Sequence, residues 1–210
     1  YLEEQGYLEV ETPPLHPISG GATARPFTTH YNALGEDRYL RIAPELYLKR
    51  LIVGGMERVF EFARNFRNEG LSKNHNPEFT MLELYEAQAD YRRMMEVTEG
   101  MVERAAIAVN GTTECEFRGK TYDLKAPFQR VRYPDLFREH VGCEFDDMEA
   151  VRAKATSLGL KDPGNPWKLM NDVFEECCEQ YLEGPVFCTD YPVQICPLSK
   201  QSPDDPRIAE

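Results

Sequence analysis

The sequence predicts an α+β fold, an antiparallel sheet flanked by helices, and three observations carry that prediction. Val59 to Asn68 and Pro77 to Glu86 each alternate apolar and polar residues with period two, the spacing of a strand with two distinct faces. Between them, Gly70-Leu71-Ser72-Lys73-Asn74-His75-Asn76 is rich in turn formers, so the two stretches read as an antiparallel hairpin with a long loop. Downstream, several segments carry helical start and stop signals instead of strand alternation.

Tyr1 to Gly6 reads as the tail of a helix, and Leu8 to Thr12 as a short strand ended by Pro13-Pro14. Residues 17–26 form a Pro/Gly/Ser/Ala loop, most flexible at Gly20-Gly21. Pro44 opens a helix at the position proline prefers; it runs through Leu46, Leu48 and Leu51 to Gly54-Gly55. In the hairpin, one face of the first strand carries Phe60, Phe62 and Phe66, and the other Glu61, Asn65, Arg67 and Glu69. On the second strand Phe79, Met81, Glu83 and Tyr85 share a face.

A helix follows over about Tyr91 to Val109, then a small hairpin turning at Arg118-Gly119-Lys120, then a helix from Pro134 to Gly142. Asp146, with Glu149 three residues on, makes a capping box for a helix ending at Gly159. Asn165-Pro166 caps and opens a helix reaching Leu182, Val186 to Asp190 is a strand, and the proline-rich tail is loop. There is no internal repeat or low-complexity segment.

At 210 residues the chain can bury a sizeable core, and 41% hydrophobic with 29% charged residues is ordinary for a soluble globular protein. No apolar run approaches the ~20 residues of a membrane span, and nothing at the N-terminus resembles a signal peptide; a cytoplasmic location is expected. The six cysteines form no C-x-x-C pair and no Cys/His zinc spacing, so they are expected to be small buried hydrophobes in a reducing compartment. A net charge of -12 argues against a nonspecific nucleic-acid binder, which would normally be basic, but not against an enzyme that grips RNA through local patches. Both ends look cut, so a fragment of a longer protein is expected.

A strand face with Arg67 and Glu69 beside Glu83 and Tyr85 is hard to explain by folding alone. Unpaired charges on a buried sheet face are expensive, so these must be exposed, mutually paired or bound to a ligand. From the pattern alone, a solvated outer face of an amphipathic hairpin explains them as well as a binding site does.

The stretch Glu61-Phe62-Ala63-Arg64-Asn65-Phe66-Arg67-Asn68-Glu69-Gly70, followed by His75-Asn76-Pro77-Glu78-Phe79-Thr80-Met81-Leu82-Glu83, resembles motif 2 of the class II aminoacyl-tRNA synthetases, in the form of their lysyl branch. Leu8-Glu9-Val10-Glu11-Thr12-Pro13 resembles the end of motif 1. Gly20-Gly21-Ala22-Thr23-Ala24-Arg25-Pro26-Phe27 and Arg41-Ile42-Ala43-Pro44-Glu45-Leu46-Tyr47-Leu48-Lys49-Arg50-Leu51 resemble two further lysyl signatures. The likeness is dense over residues 1–95 and loose over 110–185. It implies the class II catalytic fold, in part: the end of motif 1 at residues 1–14, the motif 2 hairpin at 58–86, a helical insert region at 91–183 and a tail at 184–210.

The resemblance also implies activation of L-lysine by ATP and its transfer to tRNA(Lys), by a homodimer. Arg67 would hold the α-phosphate of ATP and the lysine carboxylate as the catalytic residue, a permanently charged fork suiting two anions that must meet. Glu69 would recognise the adenine amino group, His75 and Asn76 would lie over the nucleotide, and Phe79 would stack on adenine. Gly21 and Glu45 would receive the α-ammonium of lysine, and Glu83 with Tyr85 its ε-ammonium. The family's motif 3, its magnesium-holding carboxylates and its anticodon-binding barrel find no counterpart here, and the Mg2+ ligands are expected beyond residue 210. Gln194 and Cys196 stand where the family more often has Glu and Ser. Two other readings share the resemblance: a paralogue of the elongation factor P lysine ligase type, against which Gly20 to Phe27 weighs, and a catalytically dead binding module, against which the intact Arg67, Glu69, His75 and Glu83 weigh.

Overall fold

The computed structural model describes residues 1–70, 72 and 75–210, and the turn expected at Leu71, Lys73 and Asn74 lies outside the described residues. The chain divides into two units, Tyr1–Asp90 and Tyr91–Glu210.

In the first unit, Tyr1 to Gly6 makes one helix-like turn, Gln5 N–H donating to Tyr1 O at 3.0 Å. Then come β1 (Leu8–Glu9), β2 (Leu15–His16), β3 (Thr28–Tyr31), β4 (Glu36–Leu40), α1 (Glu45–Val53), β5 (Arg58–Phe66) and β6 (Glu78–Glu86). The expected hairpin is present: β5 and β6 pair antiparallel from Arg58↔Glu86 to Phe66↔Glu78. The sheet is not wholly antiparallel, because β1 joins the other edge of β5 in parallel. A parallel neighbour needs a long crossover, which residues 10–57 supply. Pro44 is the N-cap of α1 and not its first helical residue, and Gly54 closes the helix. A second antiparallel sheet, β2-β4-β3, was not legible in the sequence.

Alternation separates the two faces of β5 without saying which is buried, and the structure buries the polar one together with Phe60. Val59, Glu61, Ala63 and Asn65 are the buried side, while Phe62 is 59% exposed. The polar face can be buried because Glu61 is neutralised: Arg41 Nη1 donates to its Oε1 at 2.6 Å, and Thr12 Oγ1 donates to its Oε2 at 2.7 Å. Arg41 also donates to the carbonyls of Thr12 (2.9 Å) and Arg64 (2.8 Å). A buried carboxylate is tolerated only when paired and hydrogen-bonded.

The second unit comprises α2 (Tyr91–Asn110), β7 (Glu114–Phe117), β8 (Lys120–Asp123), β9 (Gln129–Arg132), α3 (Tyr133–Val141), α4 (Met148–Leu158), α5 (Pro166–Cys177) and β10 (Val186–Thr189). Arg118 and Gly119 turn the β7–β8 hairpin with φ of 51° and 78°, the pattern of a two-residue type I′ turn. Asn165 caps α5 as expected, its side chain accepting from Trp167 N at 2.9 Å and Lys168 N at 3.3 Å. α5 ends at Cys177, with a short 3-10 turn at Glu179–Tyr181 carrying the chain on toward Leu182. The cap of α4 is Asp147, accepting from Ala150 N at 3.1 Å, and not Asp146, whose carboxylate takes the Arg207 guanidinium at 3.1 Å. The core gathers Tyr133, Phe137, Phe145, Val151, Met170 and Phe174, with Tyr133 stacked on Phe174 at 3.9 Å.

All six cysteines are free thiols, but only Cys177 and Cys178 are buried; the other four are partly exposed. Among the described residues no helix is long and apolar enough to cross a membrane.

Candidate active site

The site is built on the first unit, where the β5–β6 register decides what can meet. Glu61 lies opposite Glu83, Asn65 opposite Phe79 and Val59 opposite Tyr85. Directly opposed residues share a face of the sheet, so Asn65, Phe79, Glu83 and Tyr85 project to one side, and Arg67, two beyond Asn65, follows them. The Arg67 backbone N–H donates to Pro77 O at 2.8 Å, holding the hairpin closed past the end of β5.

Arg67, Glu69, Gly70, His75, Asn76 and Phe79 line one cavity of about 240 Å3. The Arg67 guanidinium carbon sits 5.2 Å from the Phe79 ring centroid, within cation–π range. Glu69 is exposed, and its Oε1 accepts the Arg25 N–H at 3.3 Å. The Asn68 N–H donates to Arg25 O at 2.7 Å. These two bonds clip the glycine-rich loop to the hairpin. His75 is exposed, with its Nδ1 hydrogen-bonded to Ser72 Oγ at 2.8 Å, and Asn76 is exposed.

A second group lies around α1 and the far half of β6. Gly21 has φ +92°, and a Cβ there would stand 3.1 Å from the Glu45 Cβ; the loop backbone therefore rests directly on the first turn of α1. Glu45 pairs with Lys49 one turn on. Tyr85 O–H donates to Glu83 Oε2 at 3.2 Å. Burial pushes the Glu83 carboxyl above the usual carboxylate range; the Tyr85 hydrogen bond opposes this, Glu45 and Glu61 add to it, and Arg67 pulls back. Burial and then the Glu83 charge push the Tyr85 phenol up.

The contrast with Glu61 is informative. Opposite one another on the hairpin, Glu61 has Arg41 as its ion partner, whereas no cation of the described residues pairs with Glu83. The arrangement suits a ligand that is cationic where it meets Glu83, anionic where it meets Arg67, and flat where it meets Phe79.

Sequence reasoning gave Arg41, Thr12 and Glu61 no role. A lone charge inside each of the apolar runs Leu40-Arg41-Ile42-Ala43 and Phe60-Glu61-Phe62-Ala63 was the available signal. It also gave Asn65 none, although this amide is fully buried and neither its Oδ1 nor its Nδ2 has a hydrogen-bond partner; the Arg67 Nε is likewise buried and unpartnered. Among the described residues no three His, Cys, Asp or Glu side chains gather as a metal site.

The chain belongs to the class II tRNA synthetases: the family described as "tRNA synthetases class II (D, K and N)" matches residues 1–210. Within that family its likeness is to lysine–tRNA ligases. It is 50% identical to the enzyme of that name from Pelotomaculum thermopropionicum over 99% of this chain and 42% of that protein. It is 50% identical to that of an Azoarcus species over 100% of this chain and 43% of that protein, and 52% identical to that of a Thermoanaerobacter species over 98% and 42%. The chain thus spans well under half the length of these relatives.

Proposed function

We propose that the protein carrying this chain activates L-lysine with ATP and transfers it to tRNA(Lys). The observation that carries the proposal is the half-buried Glu83, bonded by Tyr85 and without a cationic partner among the described residues, on the same sheet face that leads to Arg67. The likeness to lysine–tRNA ligases supports the same substrates.

In the first step a lysine carboxylate oxygen attacks the α-phosphorus of ATP, the bond to the bridging oxygen of the β-phosphate breaks, and pyrophosphate leaves. Arg67 holds the carboxylate and the α-phosphate together and stabilises the charge that builds on the phosphorus oxygens. Phe79 stacks on adenine, Glu69 receives its amino group, and His75 and Asn76 cover the phosphates. Gly21 and Glu45 take the α-ammonium; Glu83 and Tyr85 take the ε-ammonium, replacing its lost water. In the second step the 3′-terminal hydroxyl of tRNA attacks the acyl carbon and AMP leaves. Mg2+ bound with ATP would neutralise phosphate charge; its ligands are assigned outside residues 1–210, and no step above is routed through it.

We further propose a homodimer. Leu8, on the edge strand β1, is 55% exposed, as are Leu15 (39%) and Ile18 (70%) further along the chain, and exposed apolar residues with an open sheet edge favour association. Light scattering of the complete protein at micromolar concentration checks this; a monomer only would refute it. The function itself is tested by amino-acid-dependent exchange of pyrophosphate into ATP. Exchange should require lysine, and equal exchange with methionine would sink the proposal, because an uncharged chain leaves Glu83 enclosed without a counter-charge.

A further inference from the structure

Asn65 is a buried amide with nothing to bond. It is fully buried on β5's inner side, one residue before the strand ends, and among the described residues both its Oδ1 and Nδ2 lack a partner. Two residues along the same face, the Nε of Arg67 is buried and equally unpartnered. Buried polar atoms are nearly always satisfied, and leaving one unmade is expensive. Two such orphans on neighbouring positions of one strand face, about 6.6 Å apart along the backbone, call for a common account. Their chemistry is complementary, since Nε–H can only donate and Oδ1 can only accept.

We infer that Asn65 is a positioning residue for Arg67: in the loaded site its Oδ1 accepts the Arg67 Nε–H and fixes the plane of the guanidinium. This rests on the proposed role of Arg67 as the clamp on two anions. The fork carries five N–H groups. With Nε held from the protein side, the four on the two Nη atoms remain for the α-phosphate and the carboxylate. Phe79, directly opposite Asn65, lies with its ring centroid 5.2 Å from the guanidinium carbon and bounds the fork on one side. Asn65 touches neither reactant; it acts by holding Arg67 where the transition state needs it.

The test is pyrophosphate exchange and thermal melting of the complete protein, comparing wild type, Asn65→Leu, Asn65→Asp, Arg67→Lys and the Asn65→Leu/Arg67→Lys double variant. Leucine matches asparagine in shape but accepts nothing, so Asn65→Leu should lower kcat about 10- to 100-fold, the usual range for a misplaced catalytic group, with the KM of lysine and ATP nearly unchanged. Its melting temperature should hold or rise, since an apolar group replaces an unpaired amide. Asn65→Asp keeps an acceptor for Nε–H and should recover most of the lost kcat. In the Arg67→Lys background, which has no Nε–H, adding Asn65→Leu should bring no further loss. Wild-type kcat in Asn65→Leu, a loss only in step with lost stability, or the same loss in the Arg67→Lys background would each overturn the inference. Undiminished exchange in Arg67→Lys would overturn the role of Arg67 itself, and this inference with it. Asn65→Ala carries the same comparison if Asn65→Leu does not fold.

Discussion

Glu83→Gln keeps the shape of the Glu83 side chain and an acceptor for the Tyr85 hydroxyl while deleting one negative charge. Losing one partner of a buried charge pair is worth about 2–5 kcal/mol, most of it the penalty on the charge left behind. Glu83 is half-buried and Tyr85, which bonds it, would remain beside the ammonium of the proposed site, which argues for the lower part of that range, about 2–3 kcal/mol. At a factor of ten per 1.4 kcal/mol, kcat/KM for lysine should fall roughly 30- to 150-fold. The loss should be confined to lysine: Glu69, His75 and Phe79 are untouched, so the Kd of ATP should stay within about threefold. Pyrophosphate exchange at varied lysine, paired with calorimetric titration of ATP, separates the two. Near-normal lysine activation, or ATP binding lost as badly as lysine activation, would refute the reasoning.

Because burial raises the Glu83 pKa, the carboxylate of the proposed lysine site is protonated on acidification sooner than an ordinary one; the KM for lysine should rise as pH falls, starting above the usual carboxylate value, and Glu83→Gln should abolish that rise in a pH series of exchange rates. Arg41→Met leaves Glu61 buried without its ion partner, so urea unfolding should show about 3–5 kcal/mol lost, largely restored by Arg41→Met/Glu61→Gln; equal stability of the single variant would contradict the burial account. Asn165→Ala removes the cap of α5 and should lower stability by about 1 kcal/mol by the same measurement.

The hairpin was legible because alternation and turn formers agree over nearly thirty residues, and its register follows once the turn is placed. Which face it buries was not legible. Phe62 looks like core and Glu61 like surface, and Arg41, brought across from 20 residues upstream, together with Thr12 reverses this. The strands β3 and β4 were missed because charged residues such as Glu36, Asp37 and Arg38 stand on an exposed edge sheet with little apolar patterning. The capping-box spacing to Glu149 favours Asp146 in sequence, but the Asp146 carboxylate is taken by Arg207, 61 residues away, and Asp147 caps instead. The candidate site was read from resemblance more than from pattern, and the structure brings Arg67, Glu69, His75, Asn76 and Phe79 to one cavity. Asn65 escaped notice because an asparagine in a strand carries no signal until its burial and its missing partners are known.

The central claim is that one sheet face grips lysine by its ε-ammonium and joins its carboxylate to ATP. A crystal structure of the complete protein with lysine and a non-hydrolysable ATP analogue tests it most directly. The account predicts the ε-nitrogen within about 3 Å of Glu83 and the Tyr85 hydroxyl, the ordinary charge-assisted distance, with the Arg67 Nη atoms on the carboxylate and the α-phosphate. An ε-nitrogen bound elsewhere, with Glu83 facing only protein or solvent, would contradict it.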